Sequence, residues 1–286
     1  MTLSPTMDHS LVRRALSYFP GRPRVQPEVP VHLPQRIDEH LIRRIERFIC
    51  ETVDPGLGSP YRRVVVGLSG GLDSTTAAVL CRRALGPAGV TAVIVDLGVR
   101  GHATQARRAA AVAEELGIPF RLLRNRGLVG SLLEASPHQG PFSRVNAVTR
   151  AIHSLIFQYA DARTDAVVSC VDRSEYLLSR HMEYFYGHIA PLQPLYKTEV
   201  ARLADQIGVP RRVIEQPAGC VDAWLDEAVL GTSYDRLDPI LFLIEERKWS
   251  ALRIARKFGV DRRWLERVIA RMNHREWRMV TRIPAV

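Results

Sequence analysis

The chain has 286 residues, 46% hydrophobic and 24% charged, a balance that fits a soluble globular protein able to bury a core without staples. No apolar run approaches the roughly 18 residues of a membrane span, and residues 1–20 lack the apolar stretch of a secretion signal, so a cytoplasmic location is expected. The formal charge of +10 comes from arginines scattered along the whole chain, which favours an enzyme for polyanionic substrates over a nucleic-acid binder.

Residues 1–35 are rich in proline, which removes helix donors, so they are expected to form an extended arm around one short helix near 11–18. Residues 37–49 place Leu41, Ile45, Phe48 and Ile49 on one helical face. After the turn at Asp54-Pro55-Gly56, residues 63–68 are a short β-branched run between turn signals and predict a buried strand. Helices are expected at 72–84, 103–116 and 143–160, and further strands at 90–95, 120–123 and 165–170. Such alternation implies right-handed βαβ units and a parallel sheet. From about residue 198 the pattern is mostly helical. The expected fold class is therefore α/β: a doubly wound, Rossmann-like parallel sheet with a helical C-terminal region.

The segment Val64-Val65-Val66-Gly67-Leu68-Ser69-Gly70-Gly71-Leu72-Asp73-Ser74 reads as strand, glycine-rich turn and helix. A helix N-terminus offers unpaired N–H groups and the positive end of a dipole, and so attracts anions. Gly70 and Gly71 let backbone approach a phosphate, and Ser69 and Ser74 add hydroxyls. Asp73 would repel phosphate unless a divalent cation such as Mg²⁺ sat between them. The loop is neither a Walker A sequence nor a dinucleotide G-x-G-x-x-G. Lys197 opens a helix where its own charge opposes the dipole, a conflict that an anionic partner would relieve.

S-G-G-x-D-S after a strand resembles the signature of the ATP-pyrophosphatase (PP-loop, adenine nucleotide α-hydrolase) superfamily. Three later segments narrow the resemblance to the ammonia-dependent NAD synthetases. Asp172-Arg173-Ser174-Glu175 is similar to their N-R-S-E segment, and residues 189–200 to their D-x-x-P-[IL]-x-x-L-x-K-x-x-V block. Residues 226–238 match D-E-x-x-L-G-x-x-Y-x-x-[IL]-D, and Asn273-His274-Arg275 sits where the family has H-K-R. The resemblance covers about 36–284. It implies an arm at 1–35 and an ATP-pyrophosphatase domain at 36–286. It also implies an ATP-dependent carbon–nitrogen ligase that adenylates a carboxylate, releases pyrophosphate and transfers ammonia, with deamido-NAD⁺ as acceptor. Asp73, Glu175 and Lys197 are the implied catalytic residues, with Asp73 and Glu175 binding Mg²⁺. Gly67, Ser69, Gly70, Gly71, Asp73, Ser74, Arg150, Cys170 and Lys197 are the implied ATP contacts. The family pairs as homodimers, and ammonia is expected from solution or from a separate glutaminase.

The sequence also departs from the family pattern. Ser169-Cys170 replaces Gly-Thr, and only Arg150 remains of an Arg-x-Arg pair. Met182-Glu183-Tyr184-Phe185-Tyr186 replaces the T-K-[FY]-G-D-G-G segment that grips deamido-NAD⁺. These changes predict a weakened grip on that dinucleotide and leave a different carboxylic acid as the alternative acceptor. Two other readings compete. Pro217-Ala218-Gly219-Cys220 is reminiscent of sulfur-transferring PP-loop enzymes, and residues 250–269 read like a DNA-binding helix-turn-helix. The widely spaced Cys50, Cys81, Cys170 and Cys220 form no C-x-x-C pair, so neither a zinc site nor a disulfide framework is expected.

Overall fold

Three consecutive valines, each fully buried, make β1 (Val64–Gly67) the centre of the molecule. Val64 and Val66 face one layer of helices while Val65 faces another, and only a parallel strand covered on both sides tolerates such a run. The computed structural model describes residues 20–135, 140, 143–178, 187–217 and 226–278, except the side chains of Ala228 and 273–278. The sheet has the order β3-β2-β1-β4, all parallel, with β2 at Val90–Asp96, β3 at Phe120–Arg124 and β4 at Ala166–Val168. Chain progression runs outward from β1 to β3 and then jumps to β4 on the other side. The strand order therefore reverses between β1 and β4, where doubly wound sheets hold ligands at the carboxyl ends.

Helices α1 (Glu39–Thr52), α2 (Leu72–Leu85) and α3 (His102–Glu115) cover the face carrying Val64, Val66, Ala92 and Ile94. The short α4 (Leu128–Glu134), which the sequence pattern did not announce, packs on α5 (Ser143–Asp161). Through Ile156 and Ala160, α5 covers Val65, Val93 and Val167 on the opposite face. The strand expected at 165–170 is cut to Ala166–Val168. Asp165 is drawn aside to Arg63 and Arg163, each 3.2 Å away, and residues 169–172 turn toward the centre of the molecule.

Beyond β4 come α6 (Arg173–Leu178), α7 (Lys197–Gln206), α8 (Arg211–Ile214), α9 (Asp226–Leu230), α10 (Tyr234–Glu245), α11 (Ala251–Phe258) and α12 (Arg262–Arg278). The last three close a second core around fully buried Trp264, Leu265 and Val268. Among the described residues no helix is long and apolar enough to cross a membrane.

The proline-rich arm is extended where it is described, but it is docked rather than free. Pro23, Pro27 and Val29 are buried, and Val29, Val31 and Leu33 join the second core. Its first described residues lie at the start of α12: Trp264 Nε1 donates to Gly21 O at 2.8 Å, Arg267 Nε to Pro20 O at 2.6 Å, and Arg24 N to Asp261 Oδ2 at 3.2 Å. Helices α11 and α12 do form the pair expected from 250–269, with Gly259 in the turn. The arm packs against α12 at Trp264 and Arg267. The helix expected at 11–18 lies outside the described residues. Of the apolar stripe on α1, Ile45 and Ile49 belong to the core, Leu41 is half-buried and Phe48 remains 44% exposed.

Candidate active site

The loop between β1 and α2 turns on Gly70, whose φ of +75° suits glycine and whose absent Cβ would lie 3.1 Å from Ala109 Cα of α3. Gly71 caps α2 with no side-chain help. The Ser74 Oγ accepts from Ser69 N at 3.2 Å and lies 2.9 Å from Ser69 Oγ, while Gly71 N donates to Ser69 Oγ at 3.2 Å. Both hydroxyls thus sit on the first turn of α2, with its positive dipole end behind them. Gly67 has a packing role, because a Cβ there would meet Ile156 Cδ1 at 2.6 Å.

Lys197, the first residue of α7, is buried, with 5% of its side chain exposed. Its Nζ lies 2.7 Å from Asp73 Oδ2, 2.8 Å from Asp172 Oδ2 and 3.1 Å from Glu175 Oε1. The anionic partner that the helix dipole called for is therefore a triad of carboxylates from two segments, the β1–α2 loop region and residues 172–175. Burial would lower the Lys197 pKa, but Asp172, Asp73 and Glu175 outweigh it and hold the ammonium form. Asp172 is itself pushed well above the ordinary carboxylate range by complete burial, with Lys197 opposing and Glu175 and Asp73 adding to the rise. Tyr234 backs the lysine, its ring centroid 5.5 Å from Nζ and its hydroxyl donating to buried Asp226 at 2.9 Å.

Two chambers meet at this cluster. The first, about 270 Å³, runs from Gly67, Ser69 and Ser74 past Val93 and Val95 to Cys170 and to Thr149, Ile152, His153 and Ile156 of α5. Burial pushes the His153 pKa down to about 4, so its imidazole is neutral near pH 7. The second, about 540 Å³, is lined by Gly71, Arg108, Lys197, Thr198, Glu227 and Tyr234 among others. Ser69, Asp73, Gln105 and Glu175 line both. The carboxylate oxygens of Asp73, Asp172 and Glu175 lie within 4.8 Å of one another, a donor set suited to a hard divalent cation.

The structure thus brings Gly67, Ser69, Gly71, Asp73, Ser74, Cys170, Glu175 and Lys197 to one cleft, with Gly70 shaping its loop. Arg150 is exposed and is not among the described residues that line either chamber, while α5 turns Thr149, Ile152, His153 and Ile156 inward at i, i+3, i+4 and i+7. Residues 182–186, Arg180 and Cys220 lie outside the described residues, as do the side chains of 273–275. Sequence reasoning missed Asp172, which also accepts from Glu175 N at 2.8 Å. Its signal was available: an acid stands where the resembling segment has asparagine. Also missed were Gln105, His153 and the Asp226–Tyr234 pair.

The comparisons with known proteins agree with this geometry. The family described as NAD synthase matches residues 41–281. An NH₃-dependent NAD⁺ synthetase of Archaeoglobus fulgidus is 36% identical over 213 residues, 73% of this chain and 85% of that one. Another from Pyrococcus horikoshii is 32% identical, covering 80% of this chain and 88% of the relative. The solved NH₃-dependent NAD synthetase of Campylobacter jejuni superposes with a TM-score of 0.69 at 23% identity, over 87% of this chain and 98% of the other, a likeness of fold. A strand–glycine loop–helix at the reversal of a doubly wound sheet, a lysine among three acids and this extent of matching sequence place the chain in the NAD synthase family.

Proposed function

We propose that the protein is an ammonia-dependent NAD⁺ synthetase that converts deamido-NAD⁺, ATP and ammonia to NAD⁺, AMP and pyrophosphate. The observation that carries this reading is the Lys197 ammonium held 2.7–3.1 Å from Asp73, Asp172 and Glu175, beside the N-terminus of α2. The α2 N-terminus and the Ser69 and Ser74 hydroxyls bind ATP phosphates, with the nucleoside in the first chamber. The acceptor enters the second chamber and meets ATP at Asp73 and Glu175. Its carboxylate oxygen attacks the α-phosphorus, and the bond to the β-phosphate oxygen breaks, giving acyl adenylate and pyrophosphate. Lys197 neutralises the departing pyrophosphate and fixes its direction of exit. Ammonia then attacks the acyl carbon and AMP leaves. Asp73 and Glu175, with Asp172 behind them, would hold Mg²⁺, which would supply charge neutralisation to the phosphates.

This domain reading takes 36–286 as the catalytic unit and 1–35 as its strap. We also assign a homodimer, formed across the face that carries half-buried Leu41 and exposed Phe48, and a cytoplasmic location. Incubation with ATP, Mg²⁺, ammonium and deamido-NAD⁺ tests the main reading. Equal yields of NAD⁺ and pyrophosphate support it. Pyrophosphate released only with another carboxylic acid moves the chain to the alternative acceptor, and none released with any acid ends the adenylation reading.

A further inference from the structure

Deep to the lysine cluster lies a carboxylate that reaches neither chamber. Asp238, on α10, is fully buried. Its Oδ1 accepts from Ser174 Oγ at 2.6 Å, and its Oδ2 from Thr198 N at 2.9 Å and Thr198 Oγ1 at 2.8 Å. Ser174 Oγ in turn accepts from Lys197 N at 3.0 Å. One carboxylate therefore satisfies the first two N–H groups of α7, directly and through a serine, where the helix dipole favours a negative charge.

The sequence neighbours give this clamp its meaning. Ser174 immediately precedes Glu175, and Thr198 immediately follows Lys197. Asp238 fixes the backbone on which each of these side chains is carried, and the two tips meet at 3.1 Å. We propose that Asp238 is a positioning residue for the amidation reaction: its ionised carboxylate locks the N-terminal turns of α6 and α7 together and thereby sets the distance between Lys197 and Glu175. The proposal rests on the function assigned above and gives the terminal aspartate of the 226–238 block a task. The charged groups facing Asp238 are Lys197 and Glu199 of α7, while α6 contributes the neutral Ser174 hydroxyl. Burial pushes the Asp238 pKa up to about 6, against the hydrogen bonds from Ser174 and Thr198. A proton there replaces one acceptor lone pair by a donor and breaks the clamp, so turnover falls as the pH drops through about 6.

The test is Asp238→Asn, which keeps size and removes charge. Loss of the charged acceptor loosens the clamp, so kcat is expected to fall about thirtyfold. The KM for MgATP should stay within about twofold, because the α2 N-terminus and the Ser69 and Ser74 hydroxyls that hold the ground-state phosphates are untouched, while Lys197 acts on charge that develops as pyrophosphate departs. The acid limb near pH 6 in the wild type should vanish in the variant. Wild-type kcat in a folded Asn variant, or an unchanged acid limb, overturns the proposal. If Asp238→Asn does not fold, Ser174→Ala and Thr198→Val each remove one donor. Each should lower kcat about tenfold with the same unchanged KM, and normal kcat in both overturns it. If the wild type makes no NAD⁺, the function above fails on its own. Asp238 is then judged by the Lys197 side-chain ammonium signal in nitrogen-15 NMR. A sharp signal in the wild type that broadens in Asp238→Asn supports the clamp, and an identical one overturns it.

Discussion

Lys197 Nζ and Asp73 Oδ2 are 2.7 Å apart although 124 residues separate them in sequence, which joins the first turn of α2 to the first turn of α7. Two helix N-termini, each electropositive, thus converge on one point. Three carboxylates compensate them, and the buried Lys197 ammonium keeps those carboxylates from repelling each other.

Removing that cation should expose the repulsion. Lys197→Met leaves fully buried Asp172 uncompensated, at a cost of about 3 kcal/mol. At 2–4 °C per kcal/mol, the melting temperature should fall by roughly 6–12 °C. Added Mg²⁺ should recover part of the loss in this variant, since a divalent ion replaces the missing positive charge. Calorimetry with and without Mg²⁺ reads both effects. A variant as stable as wild type and indifferent to Mg²⁺ would refute the charge balance.

Asp172→Asn separates the cap from the charge. Asparagine keeps an oxygen for Glu175 N but withdraws one of the three acids beside Lys197. The variant should fold normally and retain turnover within about tenfold, with a weakened apparent affinity for Mg²⁺. A Mg²⁺ titration of pyrophosphate release that superposes on wild type would remove Asp172 from the metal site.

His153 gives a pH signature. Its pKa is lowered to about 4 by burial, so the unfolded chain binds this proton more readily than the folded one. Stability attributable to His153 is present above about pH 6.5 and is lost as the pH falls toward 4. Asp238, with a raised pKa, acts in the opposite sense over much of that range, so the informative quantity is the difference between wild type and His153→Gln. The substitution should flatten the acid decline in melting temperature. Parallel curves would show that His153 does not titrate as its burial requires.

Gly231 has a φ of +77°, and a Cβ there would lie 2.2 Å from Gly21 O and 2.4 Å from Arg22 Cα. Gly231→Ala should push the arm off α9 and α10, costing roughly 1–3 kcal/mol from the conformation alone. Trypsin should then cut after Arg24, which Val25 follows, much faster than in the wild type. Equal cleavage rates would mean that the arm is held elsewhere.

Much of the site was legible because its parts are local. The β1–α2 loop declares itself within about a dozen residues, and Lys197 was marked by a charge opposing a dipole. Parallel strands and their order of appearance followed from the alternation of apolar runs, although β4 is shorter than its pattern because Asp165 N turns to Ala160 O and Ser169 N to Ile189 O. Arg150 was placed by resemblance, and the phase of α5 turns it away. Asp172 and Asp238 stayed hidden because their roles depend on where α7 begins in space, which no window of sequence contains. Proline content showed that the arm is extended but not that Pro23, Pro27 and Val29 would find a surface.

That arm has a consequence for the order in which the protein is made. Gly21 leaves the ribosome 243 positions before Trp264, the donor that holds its carbonyl. That end of the strap must therefore wait for α12, after Gln35 and Gln26 have met Glu199 and Gly231. Until α12 emerges, the second core lacks Trp264, Leu265 and Val268, and the strap can rest only on residues 229–231. The nascent chain can assemble the sheet and its phosphate loop early, but the second core is closed only when the strap meets α12.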